Sequence, residues 1–152
     1  MSKLLYFTLL LITVTELLAE DFCDKAYWNA ASVVEEKKCL KQAELGGNEA
    51  QFGYGLILLS GHNRVSKPNE ALEWFIRSAK QGNHFAQTIL GRMLSDTRFG
   101  IPLNLPEAYA WWAVSNNKKS ADALWLKLTS EQQEKAKELE KEYVSNYPSN
   151  RR

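Results

Sequence analysis

The chain of 152 residues holds few of the groups that catalysis and cofactor binding call on. Histidine occurs twice, as His62 and His84, in loop or helix-start settings. These two do not share a helix face, and no zinc-type ligand spacing surrounds them. No glycine-rich phosphate loop and no Gly-x-Ser-x-Gly elbow is present. An excess of one charge sign is missing too. With 19 basic and 18 acidic residues the net charge is +1, which gives no basic face for nucleic acid. Four prolines and eight glycines are too few for a low-complexity chain, and a 45% hydrophobic content is too high for a disordered one. No metal, cofactor or nucleic-acid partner is expected, and nothing in these residues points to an enzyme.

What the chain does have is aromatic. Five tryptophans, six tyrosines and six phenylalanines can fill the core of one small domain. It also begins like an export signal. Lys3 supplies a positive start, Leu4 to Val14 is apolar, and Leu17-Leu18-Ala19 resembles a cleavage site that leaves Glu20 as the new N-terminus. The apolar stretch falls short of the about 20 residues that cross a bilayer, and Glu16 blocks its extension. A buried first helix or an uncleaved anchor are the alternatives. Cys23 lies four residues past Ala19, which excludes a lipoprotein. The expectation is residues 1–19 as signal peptide, a periplasmic or secreted product, and no stable membrane insertion after cleavage.

Export gives the two cysteines a meaning. An even number in an oxidising compartment pairs, so Cys23 and Cys39 are expected as a disulfide. On one straight helix they would stand about 24 Å apart, far beyond bridging distance. The chain must therefore turn back between them, near Asn29 to Ser32. Free thiols in redox chemistry are the competing reading, but there is no Cys-x-x-Cys.

The middle of the chain repeats. Ala43, Gly46, Ala50, Gln51 and Gly55 recur as Ala79, Gly82, Ala86, Gln87 and Gly91, each 36 positions on. Glu70-Ala71 and Trp74 recur 37 positions on as Glu107-Ala108 and Trp111. Each copy reads as two helices: Glu49 to Leu59 with Asn69 to Gln81, then His84 to Asp96 with Pro106 to Ser115. Pro68 suits a first turn and Gly82-Asn83 a helix end. The small residues let helix backbones approach, and the aromatics are expected to fill the space between adjacent pairs. Trp111-Trp112 reads as core by its equivalence to Trp74-Phe75, not as a sugar platform.

On these residues the chain resembles the Sel-one-like repeat family, a relative of the tetratricopeptide repeat. Ala86-Gln87, Leu90-Gly91, Gly100-Ile101-Pro102, Glu107-Ala108 and Trp111-Trp112 carry the likeness. Gly61, Glu70-Ala71, Trp74-Phe75, Ala79, Gln81-Gly82-Asn83 and Ala86 match the same pattern. Asn63 stands where a second loop glycine is usual, Tyr54 replaces a leucine, and Leu58 and Leu94 replace a tyrosine. The resemblance implies an all-α fold, a right-handed superhelical solenoid of antiparallel helix pairs over residues 20–147. Central repeats fall at about 48–83 and 84–119, with degenerate capping helices at 22–45 and 120–145. In the last of these, Thr129 and Gln132 make a capping box opening a helix to Tyr143. Its Glu131, Glu134, Lys135, Glu138 and Lys141 form a solvated face. Residues 148–152 are expected as a flexible tail.

The resemblance also implies function: a non-catalytic adaptor that holds a protein or peptide on the concave face of its stacked helices. Positions facing that surface are Glu49, Phe52, Leu56 and Leu59 in the first copy and Thr88, Arg92 and Ser95 in the second. The first set is an apolar strip, the second polar, and packing against neighbours competes as an account of Phe52 and Leu59. The alternative is an envelope enzyme or inhibitor acting on peptidoglycan or β-lactams, as proposed for cysteine-rich relatives. Those carry a cysteine pair per repeat, and this chain has one pair in total. Glu35-Glu36 does not help that alternative, because adjacent carboxylates diverge on a helix and read as partners of Lys37 and Lys38.

Overall fold

A single turn chemistry, used three times, sets the layout. Gly82 takes φ +93°; its N–H donates to the Ala79 carbonyl at 3.0 Å and that of Asn83 to the Ser78 carbonyl at 3.3 Å. These two bonds stop a helix and need a left-handed residue between them. Gly46 takes φ +99° and makes the first of these bonds, donating to Ala43. The third instance carries no glycine. Asn116 takes φ 59° and donates to Ala113, while Asn117 donates to Trp112 at 2.9 Å; asparagine is one of the few L-residues that visits this region readily. Asn83 and Asn117 then cap the next helices, their side chains accepting from the N–H groups of Ala86 and Ser120.

The computed structural model describes residue 23, residues 33–61 and residues 65–148. The export segment, the turn expected at Asn29 to Ser32, His62, Asn63 and the last four residues lie outside the described residues. Within them there are seven α-helices and no strand. They are α1 Val33–Glu44, α2 Asn48–Ser60, α3 Pro68–Lys80, α4 His84–Met93, α5 Leu105–Val114, α6 Lys118–Trp125 and α7 Ser130–Asn146. A 3-10 turn, Thr97–Phe99, follows α4, which therefore ends three residues before the expected Asp96. The helices run as pairs α2–α3 and α4–α5, with α1 ahead of them, and α6 and α7 both pack on α5. Matching backbone bonds close the two central pairs: Lys67 donates to Leu58 and Asn104 to Leu94, both at 2.9 Å. Pro68 and Pro106 sit in the first turns of α3 and α5, where their missing N–H costs nothing.

Packing corrects one expectation. Phe75 and Trp112 do not fill the space between pairs; each lies on the glycine of its own partner helix. A Cβ on Gly55 would stand 2.6 Å from the Phe75 ring, and one on Gly91 2.5 Å from the Trp112 ring. The rings that bridge successive pairs are others: Phe52 meets Phe85 at 5.9 Å, and Trp111 meets Tyr143 at 4.6 Å and Tyr147 at 5.5 Å. Trp111 is buried in the core, as its equivalence to Trp74 implied. Gln51 and Gln87 add a polar stitch that repeats, each side-chain amide donating back to the carbonyl of Ala43 or Ala79. Together these contacts make a helical-repeat solenoid.

The two ends are each closed differently. Cys23 and Cys39 form a disulfide with Cα atoms 5.1 Å apart, and Cys23 lies against Gly53 of α2. The bridge thus holds Cys23 between α1 and the first complete pair. At the other end the single capping stretch expected over 120–145 is two helices. Thr129 and Gln132 form the expected capping box at the start of α7, and Glu131, Glu134, Lys135, Glu138 and Lys141 are all exposed. The tail expected to be loose from residue 148 is held at its first residue, since the Pro148 carbonyl accepts a 2.9 Å bond from the Gln87 amide.

Candidate functional site

The residues expected to face a partner come from the first helix of each pair, α2 and α4. On α2, Glu49 is exposed, and Phe52, Leu56 and Leu59 are half-buried against the core. Phe52 is wedged between Phe75 at 5.7 Å and Phe85 at 5.9 Å, so packing and presentation share one ring. On α4, Arg92 is exposed with its guanidinium 5.8 Å from the Phe99 ring centre. Thr88 is half-buried, and its carbonyl accepts the Trp112 indole N–H at 3.2 Å. Ser95 turns inward: its hydroxyl donates to the Gly91 carbonyl at 2.8 Å and closes the end of α4.

Two exposed apolar residues answer to positions of the expected set by repeat spacing and are absent from it. Phe85 stands 36 positions after Glu49, is 56% exposed, and stacks on Phe52. It carries the apolar strip from α2 onto α4, which was expected to be polar. The repeat offset itself could have found it. Leu126, 86% exposed, answers to Arg92 at the 34-residue spacing of the caps Asn83 and Asn117. That offset was hidden because Asn116 replaces a glycine.

The charges near this face are local pairs. Arg98 donates three side-chain bonds to Asp96, and with the Arg98 backbone N–H these hold the Asp96 carboxyl down at about 2. On α6, Lys118 pairs with Asp122 at 2.7 Å. Among the described residues no group of three His, Cys, Asp or Glu side chains could hold a metal ion, and no helix is long and apolar enough to cross a membrane. His84 is half-buried and lies on Phe85, its ring centre 3.9 Å from that ring. Glu35 and Glu36 are half-buried in the first turn of α1.

Stacked helix pairs with repeated glycine–aromatic contacts and a solvent-facing strip on the first helices define a helix-pair repeat protein. The sequence pattern of the Sel1 repeat matches residues 48–83 and 84–114, which are the pairs α2–α3 and α4–α5. The chain therefore carries two consecutive Sel1 repeats. In fold it is similar, at 25% identity and a TM-score of 0.74, to the crystal structure of c5321, a protective antigen present in uropathogenic Escherichia coli strains that displays an SLR fold. The match covers 85% of this chain and 30% of that one, so this chain spans less than a third of that relative's length. No curated protein matches the chain. Sel1-like repeats are generally protein-interaction modules.

Proposed function

We propose that the chain is an exported, non-catalytic scaffold that binds a polypeptide partner on the face built by α2, α4 and α6. One observation carries the reading: Leu59, Leu56, Phe52 and Phe85 form a strip across two repeats, and Phe85 is more than half exposed although it stacks on a core-facing ring. Isolated surface apolar residues are ordinary, whereas aligned ones rimmed by Glu49 and Arg92 favour an interaction site. Preformed rigid helices lose little entropy on binding, which suits recognition by shape. The partner is a protein or peptide, with no cofactor.

Export supports the disulfide and is supported by it, because such bridges persist in oxidising compartments. N-terminal sequencing of the product is expected to begin at Glu20; a product beginning at Met1 refutes cleavage. For the binding face, a partner recovered with the intact chain is expected to be lost with Phe52→Ala combined with Leu56→Asp. Recovery unchanged in that folded variant counts against the face. The enzymatic alternative is tested by hydrolysis of labelled peptidoglycan and nitrocefin, where the scaffold reading expects no turnover.

A further inference from the structure

The two central repeats are alike at their buried glutamines, and the one difference between them marks a site. In the first repeat both ends of the Gln51 amide are paired: its nitrogen donates to the Ala43 carbonyl and its oxygen accepts from Gln81 at 2.8 Å. In the second, the helix-end position that answers to Gln81 is Ser115, whose short hydroxyl donates to the Trp112 carbonyl instead. Gln87 is therefore left without that neighbour. It is fully buried, and its nitrogen reaches both the Ala79 carbonyl and the Pro148 carbonyl, at 3.1 and 2.9 Å. Among the described residues its oxygen has no hydrogen-bond partner, nor has the buried indole nitrogen of Trp111.

The chain's own end fills the gap left there. Tyr147 is extended, at φ −118° and ψ 136°, and lays its ring nearly parallel to that of Trp111, at 15° and 5.5 Å. Pro148 covers Gly82 so closely that a Cβ there would stand 2.8 Å from it, whereas Gly46, the equivalent glycine of the first repeat, has nothing within 4 Å. Pro148 itself remains exposed. An aromatic ring, a proline ring and one carbonyl are thus each met by a different group of the solenoid. We propose that Trp111, Gly82 and Gln87 form a subsite for an extended aromatic–proline dipeptide, occupied within the same chain by Tyr147–Pro148 and exchangeable for the same step in a partner polypeptide. The half-satisfied Gln87 and the solvent-facing proline favour exchange: Tyr147 and Pro148 leave one buried acceptor unpaired, and an incoming chain can supply an N–H. This site is distinct from the strip on α2 and α4 and stands whether or not that strip binds.

The test uses the full chain and a fluorescent peptide of residues 146–152, followed by anisotropy. In the intact chain its own Tyr147–Pro148 competes, so apparent affinity falls by the fraction of molecules whose site is open. The variant Tyr147→Ala with Pro148→Ala, which frees the site, is expected to bind the peptide about tenfold or more tightly than the intact chain does. Peptides with the tyrosine or the proline changed to alanine are expected not to bind it. Equal binding by intact and released chains, or none by the released chain, overturns the proposal. So does loss of helical circular dichroism in the released variant, since the segment is then a structural clamp and not an exchangeable ligand. The single change Pro148→Ala, which leaves Tyr147 on Trp111, supplies a folded intermediate; its peptide affinity is expected between the other two, and a value equal to that of the intact chain also overturns the proposal.

Discussion

Glycine and tyrosine carry the sharpest consequences of single atoms in this molecule. Gly91 lies under a ring that cannot slide, because the Trp112 indole nitrogen is tied to the Thr88 carbonyl. Gly91→Ala gains about 1 kcal/mol of helix propensity but overpacks that contact, which typically costs about 1–3 kcal/mol. A net loss of about 1 kcal/mol is expected in urea unfolding, and no loss would mean the ring has room. Tyr143 donates to Glu107 at 3.0 Å, and burial first, then the Glu107 charge, pushes its phenol above the ordinary value of 10. The folded state therefore holds this proton more tightly than the unfolded chain. That contribution is complete below pH 10 and is lost as pH rises beyond it. Tyr143→Phe keeps the ring on Trp111 and is expected to reduce this alkaline loss; identical alkaline unfolding curves would remove Tyr143 from the account. At this scale the sequence was legible where small residues recur in register, as at Gly55 and Gly91. Which ring each glycine receives was not, since a spacing of 36 does not say whether an aromatic faces its own pair or the next.

Among the elements, the turn that ends α1, α3 and α5 was readable twice and concealed once. Gly46 and Gly82 announce a left-handed stop, but Asn116-Asn117 performs it without glycine, so the start of α6 was hidden within one degenerate stretch. The capping box of α7 was readable because its two residues are local. Thr129→Ala removes the side chain that accepts from the Gln132 N–H and is expected to cost about 1 kcal/mol, seen as a lower denaturation midpoint with unchanged slope. The disulfide acts on the opposite end. Its 16-residue separation implies a contribution of about 3 kcal/mol in the chain-entropy model. Cys39→Ser, or reduction of the intact chain, is expected to lower stability by about that amount and to leave the capping of α7 intact. A change below about 0.5 kcal/mol would mean that the clamp orders little beyond its own loop.

The whole molecule is a short stack of helix pairs with an unlike closure at either end, a covalent clamp before α1 and a docked segment after α7. Its class was legible from the repeat, because the fold needs the same small and aromatic residues in each unit. The return of Tyr147–Pro148 to Trp111 and Gln87 was not, because a contact 61 residues apart in sequence leaves no local pattern. Of the proposed face, Phe52, Leu56 and Arg92 were named from the repeat, whereas the stack of Phe85 on Phe52 and the bond of the Ser95 hydroxyl within its own helix came only from the structure. The central claim is that partners meet this face. Its most direct measurement is photocrosslinking in the native envelope, with a photoreactive residue at Phe85 or Leu126 and, for comparison, at Glu138 on the solvated face of α7. The account predicts a discrete crosslinked partner from Phe85 and Leu126, lost when Leu56→Asp is added, and none from Glu138. The same partner captured from Glu138 alone, or capture at Phe85 untouched by Leu56→Asp, would contradict it.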